Sequence, residues 1–438
     1  MRDPACSVLT AALLFTSRID SSELRRRADW GFRLVASGAA AEVRGLRDGS
    51  AADSAGLREG DRVLRINGAA LGDARTIAHV RRMFRGGDRV KLEVERDGAA
   101  RAIGLTLPAV PEERIAGCDV RYGSVVTPAG YRVRTVFTRP VGARGALPTI
   151  VFIPWLSCDA VEGVTPGDGW IQLLHALAAR SGWALYRVEK PGSGDSEGPD
   201  CSTNDLATDL AAFRAALADV RHLDGVDAER IVLFGGSIGG ALAPVLATEH
   251  PVAGLIVSGG FSRTWLEHML EIERARMTLD GVAPADVHRA LRGYADFYTL
   301  YLNHDLTPAQ VLARRPDLAP LWHDAPEGQY GRPAAYYQGL QDLNVEQAWA
   351  ALEVPVLVLH GEYDWIMSRA EAAHIERLVN ARRPGRVTLE MVPRTDHNLE
   401  VYATPLDAYR GVGGHFDSAL TDRVIAWLRT LGARDERR

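Results

Sequence analysis

The stretch Arg230–Gly240, RIVLFGGSIGG, sets one serine among four glycines directly after a short apolar run. The run Ile231–Leu233 has the composition of a buried strand, and the residues after Gly240 predict a helix. Glycines on both sides of Ser237 allow the strand and the helix to pass close to the serine on a sharp turn. The N-terminus of that helix favours negative charge developing at the hydroxyl. Ser237 is therefore a candidate nucleophile. A phosphate-binding loop is disfavoured, because no G-K-[ST] sequence follows.

Bulk composition restricts the classes of protein that the chain can belong to. Its 438 residues predict two domains, and a net charge of −5 argues against nucleic acid or an anionic membrane as partner. The N-terminal segment, residues 1–24, contains an apolar run from Val8 to Phe15 that is too short to span a bilayer. No export signal follows the usual pattern, so we expect a cytoplasmic protein, with export as the alternative. Neither C-x-x-C nor H-E-x-x-H occurs, so we expect no metal and no cofactor.

Strand and helix patterns alternate from about residue 119 to residue 433. Such alternation predicts a doubly wound, mostly parallel α/β sheet. The alternation of strand and helix patterns stops over about residues 261–353, which we call the helical insertion. Its pattern is helical and it is rich in aromatic residues: Trp265, Phe297, Tyr298, Tyr301, Trp322, Tyr336 and Tyr337.

A second, smaller unit precedes this sheet. The stretch Gly49–Leu71, GSAADSAGLREGDRVLRINGAAL, and the stretch Trp30–Leu34, WGFRL, resemble a PDZ domain over about residues 25–110. The resemblance implies a small α+β domain. The prolines and charges that follow it, in PAVPEERIAG from Pro108, predict a linker at residues 111–118. It also implies that a peptide with a free C-terminus adds as a strand beside Gly31–Leu34, with its carboxylate on N–H groups around Trp30, Gly31 and Phe32. The alternative is a structural module that has no peptide ligand.

The larger unit, residues 119–433, resembles an α/β-hydrolase. The resemblance is carried by RIVLFGGSIGG and by four further stretches in the family's order: FIPWLSC from Phe152, EKPGSGDSEG from Glu189, VPVLVLHGEYD from Val354 and RTDHNL from Arg394. It implies that the helical insertion is a cap over the active site. It further implies a catalytic triad of Ser237, Asp364 and His397, in the order serine, acid, histidine. Glu362 is the alternative acid and His415 the alternative base.

The resemblance also assigns donors for a developing oxyanion. One is the backbone N–H of Ile238, directly after the serine, and the second comes from the loop after Ile153. Pro154 has no N–H, so Leu156 is the expected second donor, with Trp155 as the second choice. The 189–201 loop is expected to support the site without chemistry. It brings Cys201 towards Cys158, and the sequence leaves open whether they form a disulfide or remain two buried thiols.

These observations predict a serine hydrolase that cleaves a carboxylic ester through an acyl-enzyme intermediate. A peptidase, a thioesterase or an acyltransferase would use the same triad, so these remain alternatives. A further alternative of another class is a non-catalytic, peptide-binding scaffold. The expected partners are a small ester or peptide substrate and a peptide C-terminus at the PDZ-like domain.

Overall fold

The computed structural model describes residues 24–163 and 168–435. The predicted N-terminal segment, with its apolar run, therefore lies outside the described residues apart from Leu24. We call residues 24–110 the N-terminal unit and residues 118–435 the C-terminal unit. Each is built around its own buried apolar side chains.

The described part of the N-terminal unit is an antiparallel sheet with two helices. Its elements are β1 (Arg33–Ser37), β2 (Ala40–Arg44), α1 (Ala51–Ser54), β3 (Arg62–Ile66), β4 (Ala69–Ala70), α2 (Ala74–Arg82), β5 (Arg89–Arg96) and β6 (Ala99–Thr106). The strand order is β1-β2-β3-β5-β6, and β4 pairs with β3. Alternation in β5 buries Val90, Leu92 and Val94 on one face. Helix α2 begins after Asp73, whose carboxylate accepts from the N–H of Thr76.

The C-terminal unit is built on an eight-stranded sheet with helices on both faces. Before the helical insertion its elements are β7 (Cys118–Val126), β8 (Arg132–Pro140), β9 (Leu147–Ile153), α3 (Gly169–Arg180), β10 (Ala184–Val188), α4 (Leu206–Val220), β11 (Val226–Gly236), α5 (Ile238–Glu249) and β12 (Gly254–Ser258). Helix α4 begins after Asp205, which caps it.

The helical insertion contains five α-helices and one short hairpin among the described residues. They are α6 (Trp265–Leu279), α7 (Pro284–Tyr298), α8 (Pro308–Arg314), β13 (Gly328–Gln329), β14 (Arg332–Pro333), α9 (Ala334–Asp342) and α10 (Val345–Ala351). A π-helical turn, Thr299–Asn303, and a 3₁₀-helix, Pro316–Leu321, lie on either side of α8. Six of the seven aromatic residues noted in the sequence are buried here, and the seventh, Trp322, stacks on Phe297 with ring centroids 4.7 Å apart.

After the insertion the chain completes the sheet. The remaining elements are β15 (Val356–Gly361), α11 (Arg369–Arg382), β16 (Val387–Val392), β17 (Glu400–Val401), α12 (Pro405–Arg410), β18 (His415–Phe416) and α13 (Ala419–Asp435). The strand order of the large sheet is β16-β15-β12-β11-β9-β10-β8-β7. The strands from β16 to β10 in that order run parallel, β8 is antiparallel to β10, and β7 is antiparallel to β8.

Both faces of this sheet are buried, as continuous apolar strands predict. Along β9, Ile150 and Phe152 pack with α3 and α13, whereas Val151 and Ile153 pack with the core that contains α4 and α5. Because the strands are parallel, the carboxyl ends of β9, β11, β12 and β15 meet at one edge. Among the described residues, no helix is long and apolar enough to cross a membrane.

The two units are joined by ion pairs to the 189–201 loop. Asp195 binds Arg26 of the N-terminal unit and accepts from Arg134 Nε at 3.0 Å. Asp200 accepts from Arg82 Nη2 of helix α2 at 2.8 Å. The side chains of both aspartates are at most 7% exposed, so these charges are bound away from bulk water. The loop thus fixes helix α2 against the C-terminal unit.

Candidate active site

Ser237 lies at the turn between β11 and α5. Its backbone has φ 55° and ψ −122°, a strained conformation for a residue with a side chain. The N–H of Ser237 donates to the carbonyl of Ser258 at the end of β12 (2.9 Å), which holds the turn on the sheet. A Cβ on Gly235 would lie 2.3 Å from the carbonyl oxygen of Gly239, so the turn requires glycine there. The hydroxyl is therefore presented above the sheet edge.

His397 and Asp364 meet Ser237 at this edge. Nε2 of His397 lies 2.9 Å from Ser237 Oγ, and Nδ1 of His397 lies 2.9 Å from Asp364 Oδ2. The other carboxylate oxygen, Oδ1 of Asp364, accepts from the backbone N–H groups of Ile366 (3.0 Å) and Met367 (2.8 Å). Asp364 is thereby fixed, and it can orient the imidazole between carboxylate and hydroxyl.

The alternative acid and base lie elsewhere. Glu362 is exposed and accepts from the N–H of Arg394 at 2.8 Å. His415 is exposed in β18, where it pairs in register with Val401 of β17. Neither side chain contacts Ser237. Of the four candidates for acid and base, the structure brings only Asp364 and His397 to the serine.

The pKa values of the pair fit a histidine that accepts a proton. Burial alone would lower the pKa of His397, but the charge and hydrogen bond of Asp364 outweigh burial and raise it. For Asp364, burial would raise the pKa, but His397 and the N–H of Met367 outweigh burial and lower it. The carboxylate therefore stays ionised and stabilises the imidazolium that would form when His397 takes a proton.

The residues expected to supply the oxyanion donors line the cavity that contains Ser237. Ile238, Leu156 and Trp155 all line the same cavity as Ser237. No hydrogen bond within the described residues uses the N–H of Ile238 or of Leu156. A Cβ on Gly239 would lie 2.1 Å from the carbonyl oxygen of Ile153, so glycine allows the loop that carries Leu156 to approach the turn. Ile238 and Leu156 therefore line the cavity with N–H groups that no acceptor among the described residues engages.

Two protein-family models match the chain. The model described as serine aminopeptidase, S33, matches residues 161–402, which is more than half of the chain. The chain belongs to the serine aminopeptidase S33 family. Residues 42–96 match the PDZ domain model, so this S33 family member carries a PDZ domain in its N-terminal unit. The α/β-hydrolase fold and the PDZ domain predicted from the sequence are both confirmed.

Solved structures with a similar fold include several esterases. Est1E from Butyrivibrio proteoclasticus is 16% identical over 71% of this chain and 99% of its own, with a TM-score of 0.46. An esterase from Pyrococcus furiosus is 10% identical over 71% of this chain and 91% of its own, with a TM-score of 0.45. No curated protein matches the chain significantly.

A cavity of about 770 Å³ surrounds the serine of this S33 family member. Its volume lies within the ordinary range of ligand pockets, about 300–1,000 Å³. Its wall includes the triad edge of the sheet, the 155–162 loop, the start of α3, helix α6 of the helical insertion, and the N-terminal unit. The N-terminal unit contributes Trp30, Arg81 and Phe84, among others. We call this space the central cavity. Within the described residues, no cluster of His, Cys, Asp or Glu could hold a metal ion.

Two residues near the triad were not singled out from the sequence. Gly259, at the end of β12, has φ +63°, and a Cβ there would lie 2.6 Å from Cε1 of His397. His268 of α6 lines the central cavity and is stacked on Phe261, with both ring nitrogens buried and without a partner among the described residues. Burial and the neighbouring His397 lower the pKa of His268 to about 3, so its imidazole is neutral. The sequence shows two glycines directly after the β12 strand, so Gly259 could have been noticed. Nothing in the local sequence distinguishes His268.

The two cysteines left open by the sequence form a disulfide, Cys158–Cys201. It joins the loop after β9, which carries Leu156, to the end of the 189–201 loop. Arg332 of the helical insertion lies against it, with Nη1 at 2.6 Å from Cys201 Sγ, and also pairs with the buried Asp209. The disulfide therefore ties the loop of the expected oxyanion donor to the loop that contacts the N-terminal unit.

Among the PDZ residues expected to bind a peptide carboxylate, the N–H of Gly31 is already engaged. Trp30 and Phe32 are buried, at 5% and 4% exposure, and Gly31 has φ +70°. The N–H of Gly31 donates to Asp29 Oδ1 at 3.1 Å, so it is not free to bind a carboxylate without losing that bond. The outer edge of β1 has no neighbouring strand among the described residues. Strand addition at β1 remains a prediction, but Gly31 does not offer the free donor that we expected.

Proposed function

We propose that this S33 family member is a serine hydrolase that cleaves a carboxylic ester through an acyl-enzyme. The observation that carries the proposal is the unbroken hydrogen-bond chain from Ser237 Oγ through His397 to Asp364. His397 removes the proton as Ser237 attacks the acyl carbon, and it then donates that proton to the leaving alcohol. Water, activated by the same imidazole, resolves the acyl-enzyme. Asp364 holds His397 in the tautomer that these steps require.

The tetrahedral intermediate requires donors aimed at its oxygen. We assign this role to the N–H groups of Ile238 and Leu156, and Trp155 is the second choice for the latter. Removing a donor of this kind costs about 10²–10³-fold in kcat in serine hydrolases. The helical insertion acts as the cap in this proposal, because α6 closes one side of the central cavity and excludes water from the reacting groups.

A peptidase is the second candidate, and the description of the family favours it. Amide cleavage would use the same triad and oxyanion donors, and thioester cleavage or acyl transfer would use the same acyl-enzyme. The non-catalytic scaffold gains no support, because a scaffold would not need a buried carboxylate that orients a histidine on a serine.

Domain boundaries and compartment are part of the proposal. We propose a PDZ domain over residues 25–110, a linker at 111–118 and a hydrolase domain over 119–433. The disulfide Cys158–Cys201 favours the exported alternative over the cytoplasm, since disulfides form and persist mainly in oxidising compartments.

A substrate panel tests the reaction class. The purified chain is assayed with 4-nitrophenyl esters of increasing acyl length, with matched thioesters and with aminoacyl 4-nitroanilides. We expect turnover of at least one ester series, and its loss in Ser237→Ala and His397→Ala. Hydrolysis of the anilides alone would replace the ester proposal with the peptidase. Equal turnover by the wild type and Ser237→Ala would contradict both.

A further inference from the structure

The PDZ domain forms part of the wall of the central cavity. Trp30, Arg81 and Phe84 of the N-terminal unit line the same space as Ser237 and the helical insertion. The ion pair between Arg82 and Asp200 holds α2, which carries Arg81, against the C-terminal unit. A substrate bound at the serine therefore faces side chains of the PDZ domain.

Four arginines of the N-terminal unit line the cavity, and they differ in their partners. Arg82 is paired with Asp200, and Arg27 lies 3.1 Å from Glu162. Arg85 donates to three backbone carbonyls, those of Arg82, Phe84 and Ser196. The fourth, Arg81, has no carboxylate within ion-pair distance in the part of the chain that the structure describes. Arg85 likewise has no carboxylate partner among those residues, but Arg81 donates to one backbone carbonyl where Arg85 donates to three.

The contacts of Arg81 leave most of its hydrogen-bonding capacity unused. Nη2 donates to the carbonyl of Phe32 at 3.2 Å, and Nε is buried without a partner among the described residues. The guanidinium lies 5.5 Å from the centre of the Trp30 ring, which restricts its position. Burial lowers the pKa of Arg81, and the nearby Asp29, which opposes this shift, is itself paired with Arg47. An anion within hydrogen-bond distance would stabilise a guanidinium that is partly buried and has unused donors.

We propose that Arg81 binds an anionic group, a carboxylate or a phosphate, on the substrate whose scissile bond lies at Ser237. This rests on the proposed function and adds the substrate class: esters with an acidic group on the acyl or the leaving-group side. The PDZ domain then contributes to the substrate specificity of the hydrolase, and this role is separate from any peptide binding at β1. A neutral substrate of the same length leaves the guanidinium unpaired and is disfavoured.

Matched substrate pairs test the proposal. On the acyl side, 4-nitrophenyl hydrogen glutarate is compared with 4-nitrophenyl pentanoate. On the leaving-group side, 4-butyryloxybenzoate is compared with phenyl butyrate, and a phosphate-bearing analogue, 4-butyryloxyphenyl phosphate, completes the set. We expect wild-type kcat/KM to favour the anionic member of at least one pair. In Arg81→Met that preference falls by about 10- to 100-fold, the range for a hydrogen bond to a charged group.

Two variants control for fold and charge. Arg81→Lys keeps the charge and should retain part of the preference. Arg89→Met removes an exposed arginine of β5 outside the cavity lining and should leave the preference unchanged. Equal losses on charged and neutral substrates in Arg81→Met, or no preference in the wild type, would overturn the proposal.

A binding measurement separates this proposal from the proposed function. Calorimetry in the Ser237→Ala background uses the 4-nitroanilides of glutaric acid and of pentanoic acid, which that variant does not cleave. We expect the acidic anilide to bind at least tenfold more tightly, and this advantage to disappear in Ser237→Ala/Arg81→Met. If no ester is cleaved but this difference holds, only the proposed function fails. If esters are cleaved without any such difference, only the role of Arg81 fails.

Discussion

Gly259→Ala perturbs the triad without changing any of its members. A Cβ at this position would lie 2.6 Å from Cε1 and 2.9 Å from Nδ1 of His397. Non-bonded carbon atoms prefer about 3.5–4.0 Å, so the imidazole must withdraw by about 1 Å. A misplacement of about 1 Å costs on the order of 10²-fold in rate. We therefore expect kcat/KM on the best ester to fall about 100-fold, with a parallel fall in the rate of fluorophosphonate labelling.

Backbone strain is separated from this effect by a matched variant. Gly259 has φ +63°, and an alanine there costs about 1–2 kcal/mol in stability. Gly281, between α6 and α7, has φ +74°, and a methyl group added there would meet no atom within 4 Å, so Gly281→Ala carries similar strain without touching the triad. Both variants should lower the melting temperature to a similar extent, but only Gly259→Ala should lose activity. Activities within twofold of each other would refute the reasoning.

The remaining predictions concern the pair of His397 and Asp364, the disulfide of Cys158, and the turn that contains Gly239. Only neutral His397 can act as the base and its pKa is raised, so activity should fall as the pH drops through a value above 6.5. In Asp364→Asn this acidic limb of the pH–rate profile should move to lower pH, and kcat should fall about 10³–10⁴-fold. Both effects are read from pH–rate profiles. Cys158→Ser opens a loop between cysteines separated by 43 residues, so urea unfolding should show a loss of up to about 4 kcal/mol, and prior reduction of the wild type should abolish the difference. Gly239→Ala should lower kcat by more than 100-fold, because a Cβ there displaces the loop of the expected oxyanion donors; unchanged kcat would contradict that assignment.

The sheet and the place of the triad residues follow from local patterns in the sequence. Continuous apolar runs predicted the parallel strands, and parallel strands bring their carboxyl ends to one edge. Ser237 and Asp364 each come directly after such a run, and His397 follows the last strand. The order of these residues in the chain and their positions after strand ends were therefore enough to predict that the three side chains lie at the same edge of the sheet.

Features that depend on how the two units contact each other could not be predicted from the local sequence. Arg81 lies on an amphipathic helix of the PDZ domain, and nothing in that helix indicates that it lines a cavity together with Ser237 of the C-terminal unit. Helix α2 is held by Asp200, which lies in a loop whose sequence predicts only turns. Gly259 was visible as a glycine after a strand, but the imidazole beside it comes from a distant part of the chain.

Labelling with a fluorophosphonate, followed by intact-mass measurement and peptide mapping, tests the central claim most directly. We expect one adduct per chain, located on Ser237, absent in Ser237→Ala and formed far more slowly in His397→Ala. An adduct on another residue, or no adduct on correctly folded protein, would contradict it.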